Sequence, residues 1–237
     1  MIIGFLHIHV IGYNQSMIHH SPCGLIWDMD GVLIDSTPYH LRAWQETLLK
    51  VRKRMFTIEE FQRTFGMRNP DMLHEVLGVD LSLDEVSVLA DKKEALYREL
   101  VRLDGISLLP GVRTWLDTAH NLGLLQTVAS SAPRANVDVI VDTVHIRSSF
   151  VALIASEDVT RGKPDPEVFL AAAASMGLSP NQCIVVEDAP VGIQAAHAAG
   201  MACVGVLTTH KELEADITLY NLDEMAIGDV VGRFTHI

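Results

Sequence analysis

Between Leu109 and Leu207 the sequence alternates short apolar strands with helical segments, and this alternation constrains the possible fold more than any other feature. Strands are predicted at 124–129, 151–155, 183–186 and 202–207. Helices are predicted through Trp115 and Leu116 to near Gly123, and near 133–144, 166–176 and 191–199. The earlier run Gly24–Trp27 is apolar without polar alternation, as expected of a strand that is covered on both faces. Alternating strands and helices form parallel sheets with right-handed crossovers. The sequence therefore predicts an α/β fold with a doubly wound, Rossmann-like sheet.

A helical block interrupts this alternation after the first strand. Pro38 suits a helix start, and Thr57–Glu60 and Ser82–Glu85 match the capping boxes that open helices. Because the block follows strand one and precedes the regular alternation, we expect it to be an inserted α-helical cap domain. The predicted organisation is an N-terminal extension at 1–21, a core formed by 22–35 and 106–237, and the helical cap at 36–105.

The N-terminal segment differs from the rest of the chain. Residues 1–12 are apolar enough to resemble the hydrophobic region of a signal peptide, but no Lys or Arg precedes them and no small-residue cleavage site follows. The segment is also too short and too rich in histidine to span a bilayer. We expect it to add at most a peripheral strand, with Met17 as a plausible start.

Charge and cysteine content narrow the functional classes. The formal net charge of −12 argues against nucleic acid as a partner, because that binding depends on clustered Lys and Arg. A small anionic substrate remains compatible, since a metal ion and a few local cations can reverse the sign within one cleft. Cys23, Cys183 and Cys203 lack the spacing of a metal site. The last two lie in apolar runs, which predicts buried reduced thiols and a cytoplasmic protein.

Two aspartates, Asp28 and Asp30, directly follow the first strand. Side chains two residues apart in an extended segment point the same way, and Gly31 lets the chain turn sharply. The carboxylates should therefore converge at the carboxyl end of the strand, where open α/β sheets bind ligands. There they could hold Mg²⁺, attack phosphorus and shuttle a proton. An ordinary turn or a calcium loop is the alternative, but a calcium loop needs more oxygen ligands than the apolar residues 32–34 allow.

Polar residues also follow the later predicted strands. Ser130 can donate to a phosphate oxygen or simply cap a helix. Lys163, between a glycine and a proline, can neutralise Asp28 and phosphoryl oxygens or lie on the surface. Glu187 and Asp188 can bind Mg²⁺ or favour a helix N-terminus through the helix dipole. Because the carboxyl ends of parallel strands share one rim, these residues together predict a single phosphoryl-transfer site.

These motifs resemble those of a known family. The segments Asp28-Met29-Asp30-Gly31-Val32, Ser130, Lys163-Pro164 and Glu187-Asp188 are similar to the four motifs of the haloacid dehalogenase (HAD) superfamily. The helical insertion resembles the C1 cap of that family. Asp35–Trp44 and Gly192–Ala196 resemble segments of its β-phosphoglucomutase-like branch of phosphatases, and the likeness covers residues 22–207.

The resemblance implies a role for each motif residue. Asp28 would attack phosphorus and form an aspartyl-phosphate, and Asp30 would protonate the leaving oxygen and then activate water. Ser130 and Lys163 would hold the transferring phosphoryl group. The implied Mg²⁺ ligands are Asp28, the backbone carbonyl of Asp30, Glu187 and Asp188. The acid at position 30 disfavours dehalogenase and phosphonate-cleaving chemistry, because a halide leaving group needs no proton whereas an alkoxide does.

The substrate-binding residues expected from the sequence are Ser131 in the core and His40, Phe65, Arg68 and Asn69 in the cap. His40 could instead be a structural histidine, and Arg68 a solvated surface charge. The expected activity is that of a monomeric, Mg²⁺-dependent phosphatase acting on a small phosphorylated metabolite, such as a sugar phosphate. A β-phosphoglucomutase-type phosphomutase and a non-catalytic binding protein of the same fold are the alternatives.

The cap loop 65–69 bears on the choice between phosphatase and mutase. In β-phosphoglucomutases the equivalent loop carries a Lys before the Gly and an Arg three residues after it, where this chain has Phe65 and Asn69. Because a mutase must neutralise a second phosphate at the cap, these departures favour a phosphatase.

Overall fold

Six parallel strands form one sheet in the computed structural model, which describes residues 24–64, 69–78 and 81–234. The strands are β1 (Gly24–Trp27), β2 (Leu125–Ala129), β3 (Ala152–Ile154), β4 (Cys183–Glu187), β5 (Ala202–Val206) and β6 (Ile217–Leu219). Their order across the sheet is β3-β2-β1-β4-β5-β6, so β1 is central and pairs with β2 and β4. Since all the pairs are parallel, the carboxyl ends of the strands lie along one edge.

The helices fall into two groups along the chain. The helices are α1 (Thr37–Arg52), α2 (Ile58–Thr64), α3 (Asn69–Leu77), α4 (Leu83–Asp104), α5 (Val112–Asn121), α6 (Arg134–Thr143), α7 (Glu167–Ser175), α8 (Pro190–Ala198) and α9 (Ile227–Phe234). The first four follow β1 as one continuous helical block, and the others, beginning with α5 before β2, alternate with strands or follow them. The predicted α/β sheet with an inserted helical cap is thus confirmed, whereas the proposed domain boundaries remain a prediction.

The sheet is buried on both faces. Leu25 and Trp27 of β1 pack in one apolar cluster, and Ile26 between them packs in a second cluster on the opposite face. Trp27 meets Trp115 of α5 edge to face at a centroid distance of 6.2 Å, and Phe169 of α7 is fully buried in the second cluster. Full burial of a large apolar side chain stabilises a fold by roughly 1.5–3 kcal/mol. Burial on both faces explains why the strand sequences lack polar alternation.

The cap has an apolar cluster of its own. Its members come from α1 to α4 and from the α1–α2 connection, and they are Trp44, Leu48, Phe56, Phe61, Met72, Leu73, Val76, Val86 and Leu89. The two predicted capping boxes are confirmed: the Ser82 hydroxyl accepts from the Glu85 amide, and the Thr57 hydroxyl accepts from the Glu60 amide. Helices α1–α4 therefore share a core of their own, while Ala43 of α1 and Leu100 and Val101 of α4 also join the first cluster of the sheet.

Two elements near the C-terminus were not predicted from the sequence. Strand β6 follows β5 with no helix between them in the described chain, so the strand–helix alternation that reveals β2 to β5 is absent there, and helix α9 has only eight residues. The predicted burial of Cys183 and Cys203 is confirmed.

None of the helices in the described ranges combines the length and the apolar character needed to cross a membrane. The predicted N-terminal extension lies outside the described residues.

Candidate active site

Asp28 begins the turn that follows the central strand. Its amide donates to the carbonyl of Val186 at 2.9 Å, which continues the β1–β4 pairing by one residue. The chain then reverses, and the amide of Gly31 donates to the carbonyl of Ile34 at 2.8 Å. Gly31 has φ +84°, and a Cβ there would lie 2.0 Å from Oδ2 of Asp188. Both the backbone conformation and this close approach therefore require glycine at position 31.

Lys163 joins the ends of two strands. Its Nζ atom lies 2.5 Å from Oδ1 of Asp28 and 2.6 Å from Oε1 of Glu187, and all three side chains are buried. Burial disfavours the charged ammonium, but the two carboxylates outweigh it and raise the pKa of Lys163. The Nζ atom is also 4.9 Å from the ring centre of Phe169. Lys163 is thus a buried cation fixed against Asp28, not a solvated surface lysine.

Asp28, Glu187 and Asp188 form a cluster of buried acids. One carboxylate oxygen from each lies within 4.8 Å of the others. Burial raises the pKa of Asp28 well above its usual value, and Lys163 counteracts only part of this effect. Burial and the neighbouring Glu187 raise the pKa of Asp188 to about 7. Three buried carboxylates near a single ammonium are short of positive charge, and hard oxygen ligands of this kind fit a divalent cation.

The Glu187 side chain folds back onto the start of α8. Its Oε2 atom accepts from the amides of Asp188 and Ala189 at 2.7 and 2.8 Å. A Cβ at Gly192 would lie 1.8 Å from Oε1 of Glu187. The expected favourable interaction with a helix N-terminus is therefore present, and the same carboxylate also belongs to the acidic cluster.

Ser130 lies at the end of β2 and is buried. Its amide donates to the carbonyl of Ile154 at 3.0 Å, and its hydroxyl oxygen accepts from the amide of Ala132 at 3.0 Å. The neighbouring Ser131 is exposed. The hydroxyl of Ser130 thus fixes the turn before α6 through its lone pair, an arrangement that leaves its hydrogen to serve as a donor.

The carboxylate of Asp30 faces the cap, not the acidic cluster. Its Oδ1 atom accepts a hydrogen bond from the hydroxyl of Ser36 and lies 3.9 Å from Nε2 of His40 on α1. Burial would raise the pKa of Asp30, but the contacts with His40 and Ser36 outweigh it and lower the pKa. The side chains expected around a metal ion, those of Asp28, Glu187 and Asp188, converge. Asp30 was expected to contribute its backbone carbonyl there, and its side chain is directed at the cap.

His40 is held on both sides by cap residues. Its Nδ1 atom lies 2.7 Å from Nζ of Lys93 on α4, and its ring stacks on Tyr97 at 4.2 Å. Because an ammonium can only donate, Nδ1 is the acceptor, so the neutral ring carries its proton on Nε2, toward Asp30. Burial, together with Lys93, lowers the pKa of His40 and favours this neutral form. The structure therefore places His40, a predicted substrate contact, against Asp30.

Glu94 connects the cap to the core. Its Oε1 atom accepts from Nζ of Lys93 and from Nδ2 of Asn69, both at 2.8 Å. Its Oε2 atom accepts from Nδ2 of Asn136, on core helix α6, at 2.7 Å. Burial would raise the pKa of Glu94, but Lys93 and the two amides outweigh it and lower the pKa to about 2. The predicted substrate contact Asn69 is thus bonded to an ionised carboxylate.

Sequence reasoning missed Lys93, Glu94 and Asn136. One signal was available: Lys93 lies four residues from both Leu89 and Tyr97, on the buried stripe of α4, where a lysine needs a partner. Phe65 and Arg68, the remaining predicted cap contacts, lie outside the described residues.

Comparison with known proteins places the chain in a family. A family profile described as haloacid dehalogenase-like hydrolase matches residues 24–200. The chain is 32% identical over 212 residues to the chloroplastic 5-amino-6-(5-phospho-D-ribitylamino)uracil phosphatase of Arabidopsis thaliana, covering 87% of this chain but only 56% of that protein. It is 30% identical over 210 residues to β-phosphoglucomutase of Bacillus subtilis (strain 168), covering 86% of this chain and 91% of that enzyme.

A solved structure shows the same likeness in three dimensions. It is a HAD hydrolase of family IA, variant 3, from Entamoeba histolytica HM-1:IMSS, with a TM-score of 0.82 and 25% sequence identity. The alignment covers 90% of this chain and 99% of that chain. Family profile, sequence relatives and fold agree with the resemblance expected from the motifs, and the chain belongs to the haloacid dehalogenase-like hydrolases.

Proposed function

We propose that the chain is a Mg²⁺-dependent phosphatase that hydrolyses a small phosphorylated metabolite, such as a sugar phosphate, through an aspartyl-phosphate on Asp28. One observation carries the proposal: the Asp28 carboxylate lies 2.5 Å from the ammonium of Lys163 and within 4.8 Å of the carboxylates of Glu187 and Asp188. Membership of a hydrolase family, with a phosphatase among the relatives, supports a phosphomonoester hydrolase.

In the first half-reaction a carboxylate oxygen of Asp28 attacks phosphorus. The new O–P bond forms as the bond to the leaving alkoxide oxygen breaks. Two anions approach each other in this step, so its barrier depends on positive charge near the transferring group. Lys163 supplies one such charge through its contact with Asp28. The Ser130 hydroxyl, fixed by the amide of Ala132, donates to a phosphoryl oxygen.

Asp30 is the proposed general acid and general base of the reaction. As an acid it gives a proton to the leaving oxygen, and as a base it takes one from the water that cleaves the aspartyl-phosphate, so the cycle returns both aspartates to their starting state. The contact with His40 lowers the pKa of Asp30 in the described state and so favours the base form. A phosphoryl group bound nearby brings negative charge, which raises the pKa of a carboxyl group and favours the acid form.

The acidic cluster is the proposed Mg²⁺ site. Asp28, Glu187 and Asp188 would hold the ion, joined by the backbone carbonyl of Asp30. When bound, Mg²⁺ supplies the positive charge that the transferring phosphoryl oxygens require. The cluster fits this role because its buried carboxylates exceed the charge of Lys163.

A phosphomutase is the second candidate, because β-phosphoglucomutase is among the relatives. Retaining a bisphosphate needs cationic groups at the cap to neutralise its second phosphate. In the described part of the cap, Lys93 already contacts Glu94 and His40, and Asn69 donates to Glu94. Neither Lys93 nor Asn69 is therefore available to neutralise a second phosphate, which favours water as the acceptor of the phosphoryl group. The monomeric state and the cytoplasmic location stay predictions.

Phosphate release from a panel of phosphoesters, with Mg²⁺ and with EDTA, tests the proposal. We expect release that depends on Mg²⁺ and is abolished in Asp28→Asn. A second reaction contains β-glucose 1-phosphate and a trace of the 1,6-bisphosphate. Conversion to glucose 6-phosphate with little free phosphate would establish a mutase and contradict the phosphatase. A lack of turnover in both reactions would contradict the enzymatic proposal for the substrates tested.

A further inference from the structure

The loop after β5 also reaches the acidic cluster. The hydroxyl of Thr209 lies 2.5 Å from Oδ2 of Asp188. Nδ1 of His210 lies 2.9 Å from the same hydroxyl and 3.1 Å from the backbone carbonyl of Asp188. Both loop residues are exposed, whereas Asp188 is buried. A fifth strand end therefore contributes side chains to the rim that holds Asp28, Lys163 and Glu187.

The direction of these hydrogen bonds follows from the groups that make them. A carboxylate that binds a metal ion is ionised and can only accept, so in that state the single hydrogen of the Thr209 hydroxyl points at Asp188. The hydroxyl oxygen and the Asp188 carbonyl are then both acceptors for His210, which places the imidazole proton on Nδ1. The hydrogen bonds therefore run from the His210 imidazole to the Thr209 hydroxyl and from that hydroxyl to the carboxylate of Asp188.

The carboxylate of Asp188 is confined on its other side by Gly31. A Cβ at Gly31 would lie 2.0 Å from Oδ2 of Asp188, the same oxygen that accepts from Thr209. Backbone on one side and a hydroxyl on the other thus restrict rotation of the carboxylate about its Cβ–Cγ bond. A metal ligand that is oriented in this way is already close to the geometry the ion requires.

We propose that Thr209 is a positioning residue of the metal site, acting through Asp188. The inference rests on the proposed function, because it requires a divalent cation at the acidic cluster. Removing a hydrogen-bonding partner of a metal ligand typically weakens metal affinity by roughly 10- to 100-fold. Because the hydroxyl is the group that acts on Asp188, Thr209→Ser should keep the affinity for the metal ion, whereas Thr209→Val should lower it.

Titration of Mg²⁺ into the wild type, Thr209→Val and Thr209→Ser by isothermal calorimetry tests this inference. We expect Thr209→Val to raise the dissociation constant by roughly 10- to 100-fold and Thr209→Ser to stay near the wild type. Circular dichroism in EDTA should show all three proteins folded at the titration temperature, since position 209 is exposed. A folded Thr209→Val protein excludes unfolding as the cause of a weaker affinity.

Two results would overturn the inference and leave the proposed function standing. The first is Thr209→Val binding Mg²⁺ as tightly as the wild type, and the second is Thr209→Ser binding Mg²⁺ as weakly as Thr209→Val. A wild-type protein that binds no Mg²⁺ at all would instead overturn the proposed metal dependence, and this inference with it.

Discussion

Oε2 of Glu94 on cap helix α4 lies 2.7 Å from Nδ2 of Asn136 on core helix α6. The two residues are 42 positions apart in the chain, and both are buried. The same carboxylate accepts from Lys93, whose ammonium contacts His40. His40 in turn faces Asp30. The position of the cap on the core and the surroundings of the proposed acid–base residue therefore depend on one connected set of contacts.

Replacing Glu94 by Gln should destabilise the protein. Glu94 is the carboxylate partner of the buried Lys93, and breaking a buried ion pair by removing one partner typically costs about 3–5 kcal/mol. Urea unfolding at pH 7 measures this loss. Glu99→Gln, at an exposed position of the same helix, is the matched control and should leave the midpoint unchanged. A Glu94→Gln protein as stable as the control would contradict the structural role of the pair.

The stability contributed by Glu94 should depend on pH. Its pKa falls from 4.5 to about 2 in the folded protein, so the folded state binds a proton less readily than the unfolded chain. The contribution, about 3 kcal/mol, is therefore complete above pH 4.5 and is lost as the pH falls toward 2. The difference in unfolding free energy between wild type and Glu94→Gln, measured from pH 7 down to 3, should shrink in that window. A difference that stays constant across it would contradict the assignment.

Asp28 and Glu187 could be anticipated because each directly follows a predicted strand, and Lys163 because it lies downstream of another. Parallel strands bring their carboxyl ends to one edge. The contact between Glu94 and Asn136 could not be anticipated in this way. It depends on how the helical cap lies over the core, and neither helical periodicity nor capping signals encode that orientation. Strand β6 was missed for a different reason, since no helix separates it from β5 in the described chain and the strand–helix alternation is therefore absent there.

Asp28→Asn should abolish turnover while leaving the fold intact. A neutral amide can neither attack phosphorus nor hold a cation with full charge, and loss of a covalent nucleophile costs several orders of magnitude in kcat. The variant also removes one of three clustered acids, so its thermal midpoint in EDTA should not fall below that of the wild type. Phosphate release and circular dichroism measure the two effects. Retention of a tenth of the wild-type rate would exclude Asp28 as the nucleophile.

Lys163→Met should lower the stability of the protein and increase its stabilisation by Mg²⁺, both through the loss of one positive charge. The substitution leaves Asp28, Glu187 and Asp188 buried without the ammonium that contacts two of them, a loss of about 3–5 kcal/mol by analogy with other broken buried pairs. Because Mg²⁺ at the cluster would replace part of the missing charge, the ion should stabilise Lys163→Met more than it stabilises the wild type.

Thermal unfolding in EDTA and in saturating Mg²⁺ separates these two effects of Lys163→Met, and Lys92→Met, at an exposed position of α4, is the control for loss of a lysine. We expect Lys92→Met to match the wild type in both conditions, whereas Lys163→Met melts lower in EDTA and recovers part of the difference when Mg²⁺ is added. If the increment produced by Mg²⁺ is the same in all three proteins, Lys163 and the cation do not share the charge of the acidic cluster. That outcome would contradict the proposed role of Lys163 in balancing the charge of the metal site.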